Sequence, residues 1–127
     1  MKQFMKSEYY TNRELSWILF NKRVLGEARD KSNLLFERIK FLSITASNLD
    51  EFFMVRVASL KDMVAAEYDK KDIAGMTASE QLAAVNRATH ELVDLQYSTY
   101  NRSLIPAFLY INDSLILASS EHQCYIF

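Results

Sequence analysis

Asn48, Asp50 and Glu51 are the densest group of chemically capable side chains in the sequence. They follow Thr45-Ala46-Ser47, a polar stretch that reads as a break between two helical segments. Ser47 or Asn48 is therefore predicted to cap the helix that follows, with both carboxylates in its first turn, where negative charge complements the helix dipole. An amide at such a position can pair with the edge of a heterocycle, and the free backbone amides of a helix start face outward. Adjacent helical residues project about 100° apart, so Asp50 and Glu51 make a poor acid and base pair, and capping is the role expected of them.

Arg56 is the second unusual residue. At helical spacing it falls on the same face as Phe52, Phe53 and Leu60, and a guanidinium there must either snorkel out or meet a carboxylate or a phosphate. Glu14, Asp30 and Glu37 are the candidate internal partners. Other chemistries find little support. Gly26 and Gly75 are isolated and cannot build a phosphate-cradling loop. His90 and His122 lie far apart with no Cys or carboxylate at metal-ligand spacing, so no metal site is expected. No serine has the flanking glycines of a nucleophile elbow. No residue of this chain is assigned a catalytic role.

These side chains need elements to position them. Thr11-Asn12-Arg13-Glu14 has the spacing of a capping box and should open a first helix over about 12–29. On that helix Leu15, Ile18, Leu19 and Leu25 form one apolar stripe, with Trp17, Phe20 and Val24 nearly opposite. Such a helix is either wrapped by its own domain or leaves one stripe for an outside partner, which raises a helical interaction or dimerisation module as the alternative function. A second helix is expected over about 34–44 and a third over about 49–69. Thr77-Ala78-Ser79-Glu80 is a further capping box, opening a long fourth helix over about 78–105 that Pro106 should bend or end. Residues 111–118 resemble a short buried strand without a partner strand, the start of a second domain. The fold class expected is all-α, an antiparallel bundle of three to four helices over 1–106, with 107–127 beginning the next domain.

Composition agrees. The chain has 127 residues, 50% of them hydrophobic, with only 2 Gly and 1 Pro, which favours helices around one core. A net charge of -1 argues against a domain that grips nucleic acid electrostatically, although the basic residues concentrate in the first half and the acidic ones in the second. The single Cys124 excludes an internal disulfide and suits a reducing compartment. No stretch has the apolar length of a secretory signal or a membrane span. The location expected is cytoplasmic, with any membrane association arising through a longer protein.

Three blocks carry a resemblance: Asn12 to Leu25 (NRELSWILFNKRVL), Glu37 to Leu42 (ERIKFL) and Ser47 to Arg56 (SNLDEFFMVR). In order and spacing they resemble the N-terminal domain of bacterial polyphosphate kinase. The likeness continues through Thr77 to Leu82, His90 to Tyr100 and Leu104-Ile105-Pro106. It implies an enzyme that reversibly moves the terminal phosphate of ATP onto inorganic polyphosphate through a phosphohistidine, with Mg2+. In that family the phosphorylated histidine, the phosphate-gripping arginines and the metal ligands lie in C-terminal domains, so neither His90 nor His122 inherits the role and this chain binds no metal. The helical domain forms one wall over the adenine, and its nucleotide contact maps onto Asn48, whose alternative role is that of an N-cap. Partners implied are ATP or ADP, polyphosphate, the catalytic domains and a further copy of the chain. The chain departs from the family pattern at Leu34 and Ala78, where proline is common; each helix start there loses a fixed φ.

Overall fold

The structure is a computed structural model that describes residues 4–113. Three long helical rods make up the architecture, and no strand occurs among the described residues. The first rod is α1 (Arg13–Arg29). The second runs unbroken through α2 (Leu35–Phe52), a π-turn (Phe53–Val57) and α3 (Ala58–Ala65). The third comprises α4 (Ala78–Thr99), a second π-turn (Tyr100–Leu104) and helical residues 105–113.

Cross-links fix the directions. Glu14, Asn21 and Ala28 of the first rod meet Arg56, Thr45 and Arg38 of the second, so these two run antiparallel. Asn12 meets Gln81, and Arg38 joins Ala28 to Ser103, so the third rod runs alongside the first. The core is built from Ile18, Leu25, Ala28, Leu49, Phe52, Val57, Leu60, Val85 and Leu92. Arg38, only 6% exposed, donates from Nε to the Ala28 carbonyl at 2.9 Å and from Nη2 to Ser103 Oγ at 2.6 Å, tying all three rods. Its cation sits where the last carbonyls of α1 need donors and the dipole favours positive charge.

Several sequence expectations are corrected here. The break at Thr45-Ala46-Ser47-Asn48 does not exist, and α2 passes straight through it. Those polar residues look like caps, but Thr45 is fully buried and back-bonds to the Phe41 carbonyl at 2.8 Å, while Asn48 reaches across to α1. The irregularity falls later, at Phe53–Val57, where the Ala58 amide reaches back to the Phe53 carbonyl. One extra residue in that turn makes the buried series step from Phe52 to Val57. Arg56 is thereby displaced from the apolar face where regular winding would put it. The second π-turn acts alike between Thr99 and Leu104, both buried, and it also opens the backbone just before Pro106. Pro106 therefore does not end the rod. Residues 111–113 are helical rather than extended; 114–118 lie outside the described residues.

The helix starts divide. Thr77 and Glu80 form the expected capping box on α4, with Thr77 N–H donating to Glu80 Oε2 at 2.8 Å. At α1 the cap is Asn12 alone: its Oδ1 accepts from the Glu14 and Leu15 amides, each at 3.0 Å, because Glu14 turns away to meet two arginines. Leu34 is the cap residue of α2 rather than its first helical residue, and its φ of -61° is one that proline would fix. The outer stripe of α1 is partly covered. Trp17 stacks on Phe52, whereas Phe20 remains about half exposed, as does Leu19, which lies off the buried stripe where its spacing with Leu15, Ile18 and Leu25 would put it.

Candidate functional site

Asn21 is the residue from which the site is built. It shares the core stripe of α1 with Ile18, Leu25 and Ala28, yet it is an amide with no exposed surface. A polar residue in that register was the signal available in the sequence, and no role was expected of it. Its Nδ2 donates to the Thr45 carbonyl at 3.1 Å, and its Oδ1 accepts from Asn48 Nδ2 at 3.1 Å. Buried amides need partners for their polar atoms, and Asn21 finds one for its nitrogen and one for its oxygen across the helix interface.

Asn48 is half-buried at a cleft of about 340 Å³ lined by Trp17, Phe20, Asn48, Glu51, Phe52, Val55 and Arg56. Trp17 and Phe52 stack in the cleft wall with ring centroids 4.3 Å apart and planes 6° from parallel. No hydrogen bond reaches Asn48 Oδ1 among the described residues. Since no buried side-chain nitrogen or oxygen there lacks a partner, that oxygen is open to solvent. Asn48 therefore does not cap a helix; it stands inside one, with its amide held from behind and its carbonyl oxygen accessible.

Arg56 lines the same cleft. Its Nη1 donates to Glu14 Oε2 at 3.1 Å, and its guanidinium carbon lies 5.9 Å from the Trp17 ring centre. Of the three candidate partners, Glu14 is the one it meets. Arg13 holds the other oxygen of Glu14 through Nε at 3.0 Å and Nη2 at 2.8 Å, so one buried carboxylate serves two cations. Asp50 and Glu51 part company: Glu51 lines the Asn48 cleft, and Asp50 lines a separate groove of about 460 Å³ between α2 and α4. That groove is the larger, but it is mostly aliphatic and tyrosyl, with few polar groups converging on any point.

His90 is exposed on α4, its Nδ1 2.7 Å from the Asn86 carbonyl of its own helix, while His122 and Cys124 lie outside the described residues. Among the described residues no cluster of three or more His, Cys, Asp or Glu side chains is placed to hold a metal. No helix among the described residues is long and apolar enough to cross a membrane.

Rods and cleft together define an all-α module that offers one oriented amide beside a stacked aromatic pair. Residues 10–112 match the family model described as the polyphosphate kinase N-terminal domain. A polyphosphate kinase of Lactiplantibacillus plantarum is 59% identical over 103 residues, which cover 81% of this chain and 14% of the relative. One from Staphylococcus haemolyticus is 56% identical over 117 residues, 91% of this chain and 16% of that protein. A third, from Bacillus anthracis, is 54% identical over 100 residues, or 78% and 14%. The chain belongs to the polyphosphate kinase N-terminal domain family. It spans about one seventh of the length of these relatives. No solved structure matches it.

Proposed function

We propose that this chain is the N-terminal portion of a polyphosphate kinase, an enzyme that reversibly transfers the terminal phosphate of ATP to inorganic polyphosphate, and that it supplies one wall of the adenine site. The observation that carries this reading is the accessible oxygen of Asn48 at a cleft walled by stacked Trp17 and Phe52. A planar base can lie against apolar aromatic surface while a fixed amide reads its edge. Arg56, at the same cleft, adds a positive charge already balanced by Glu14. The histidine that carries the phosphoryl group, the groups that bind polyphosphate, and Mg2+ belong in this reading to other parts of the enzyme. This chain alone then positions nucleotide without performing transfer.

Two experiments test the reading. The 127-residue chain incubated with ATP and Mg2+ forms no polyphosphate, and robust synthesis would overturn the division of labour. In the full-length enzyme, Asn48→Ala raises KM for ATP about tenfold, the equivalent of one hydrogen bond in a partly desolvated cleft. An unchanged KM removes Asn48 from the nucleotide site.

A further inference from the structure

We infer that Asn21, which has no access to the cleft itself, sets the polarity of Asn48 and so makes the site prefer purines carrying a 6-amino group over those carrying a 6-keto group. The inference rests on the proposed nucleotide role of Asn48 and adds a positioning residue to it.

The argument follows from donors and acceptors. Thr45's backbone carbonyl can only accept, so the group of Asn21 that meets it at 3.1 Å is the NH2. Asn21 must then present its Oδ1 on the other side, and an oxygen can only be met by a donor. Asn48 therefore turns its NH2 inward, at 3.1 Å, and Oδ1 is the atom left accessible. Asn21 has no exposed surface, so no water competes for these bonds and the relay has one arrangement. An isolated amide at a cleft can rotate by half a turn and exchange donor for acceptor; this one is locked as an acceptor. An acceptor pairs with the exocyclic amine of adenine and opposes the carbonyl oxygen of hypoxanthine or guanine. Glu51, the other acceptor at the cleft, stays constant in every variant below.

The test compares ATP with ITP, which differ at the purine 6-position and its neighbouring ring nitrogen, in the full-length enzyme. The ratio of kcat/KM for the two nucleotides favours ATP about tenfold in the unmutated enzyme, the scale of one well-placed hydrogen bond. Asn21→Leu, close in volume but without polar atoms, frees the Asn48 amide to turn, and the preference falls to near parity. Asn21→Asp restores it: burial favours the neutral carboxyl, whose OH donates to the Thr45 carbonyl while its other oxygen accepts from Asn48. A purely structural role for Asn21 would lower activity with both nucleotides and leave their ratio unchanged in both variants, and that result overturns the inference. If Asn21→Leu yields no folded enzyme, parity between ATP and ITP in the unmutated enzyme overturns it equally. Asn48→Ala separates the two levels of argument. Should it leave KM for ATP unchanged, the nucleotide reading itself fails; should it raise KM while Asn21→Leu keeps the full preference, only the relay fails.

Discussion

Replacing Asn12 by alanine should be among the most damaging single polar substitutions in this domain. Asn12 is 3% exposed and joins three elements. Its Oδ1 accepts two amides at the start of α1, and its Nδ2 donates to Asp72 Oδ2 at 2.7 Å and to Gln81 Oε1 at 2.9 Å. Loss of the cap costs about 1 kcal/mol. Gln81 is 7% exposed, so its oxygen, deprived of a donor, adds roughly 1–3 kcal/mol; Asp72 is less buried and can be rehydrated. The sum, about 2–4 kcal/mol, is a large part of a domain stability of roughly 5–15 kcal/mol and corresponds to a fall in Tm of about 10 °C. Urea unfolding followed by far-UV circular dichroism and by the fluorescence of Trp17, the one tryptophan, measures it directly. Asn12→Asp serves as control: it keeps the cap but turns a carboxylate toward Asp72 and the Gln81 oxygen, so it too should destabilise. A loss below about 1 kcal/mol in Asn12→Ala, or a stable Asn12→Asp, would refute the claim that the buried three-way junction matters beyond capping.

Three other outcomes are expected. The Thr77 amide and hydroxyl hold the Glu80 carboxyl below its ordinary pKa, and the Ser32 amide and hydroxyl do the same for Asp30. Both contributions are complete above the usual carboxylate range, near pH 4, and disappear as pH falls through the lowered folded-state values. Glu80→Gln, which keeps an acceptor for the Thr77 amide, should therefore flatten the acid limb of a plot of urea midpoint against pH. Gly75 has φ of +82°, and an added Cβ would lie 3.4 Å from Ser7 Cβ and Oγ, so Gly75→Ala should cost about 1 kcal/mol in the same unfolding assay. For the Glu14–Arg56 pair, whose side chains are 6% and 34% exposed, a double-mutant cycle with Glu14→Gln and Arg56→Met should give a coupling of about 1 kcal/mol; strict additivity would mean the pair is screened away.

What the sequence made legible was local. The Thr77–Glu80 box depends on two side chains three residues apart and formed as expected. Helical winding followed from apolar spacing, and the need of a guanidinium near an apolar face narrowed the internal partner of Arg56 to three carboxylates, of which Glu14 is the one it meets. The error at Thr45–Asn48 has a long-range cause: polar residues resemble caps unless their partners on another rod are known, and here Asn21 of α1 is that partner, donating to the Thr45 carbonyl and accepting from the Asn48 amide. With a helix start placed there, Asn48 reads as a helix-tip amide rather than as one gripped from behind. The role of Arg38 has no local signature, because its carbonyl acceptor at Ala28 and its hydroxyl partner Ser103 lie on two different rods. The π-turns had no local signature, since Phe53-Met54-Val55 is apolar in a run that any winding would tolerate.

Those two wide turns bear on any attempt to trim or graft this domain. Excising a single residue between Phe52 and Val57 would restore ordinary winding and leave Val57 four positions after Phe52, still on the buried face, whereas tightening the turn with every residue kept would swing everything downstream by about 100° around the axis. The guanidinium of Arg56 would then arrive where the Val57 side chain now packs, stranded among hydrocarbons and far from its carboxylate. The winding of that short interval is thus as much a determinant of where Arg56 stands as the identity of any residue around it.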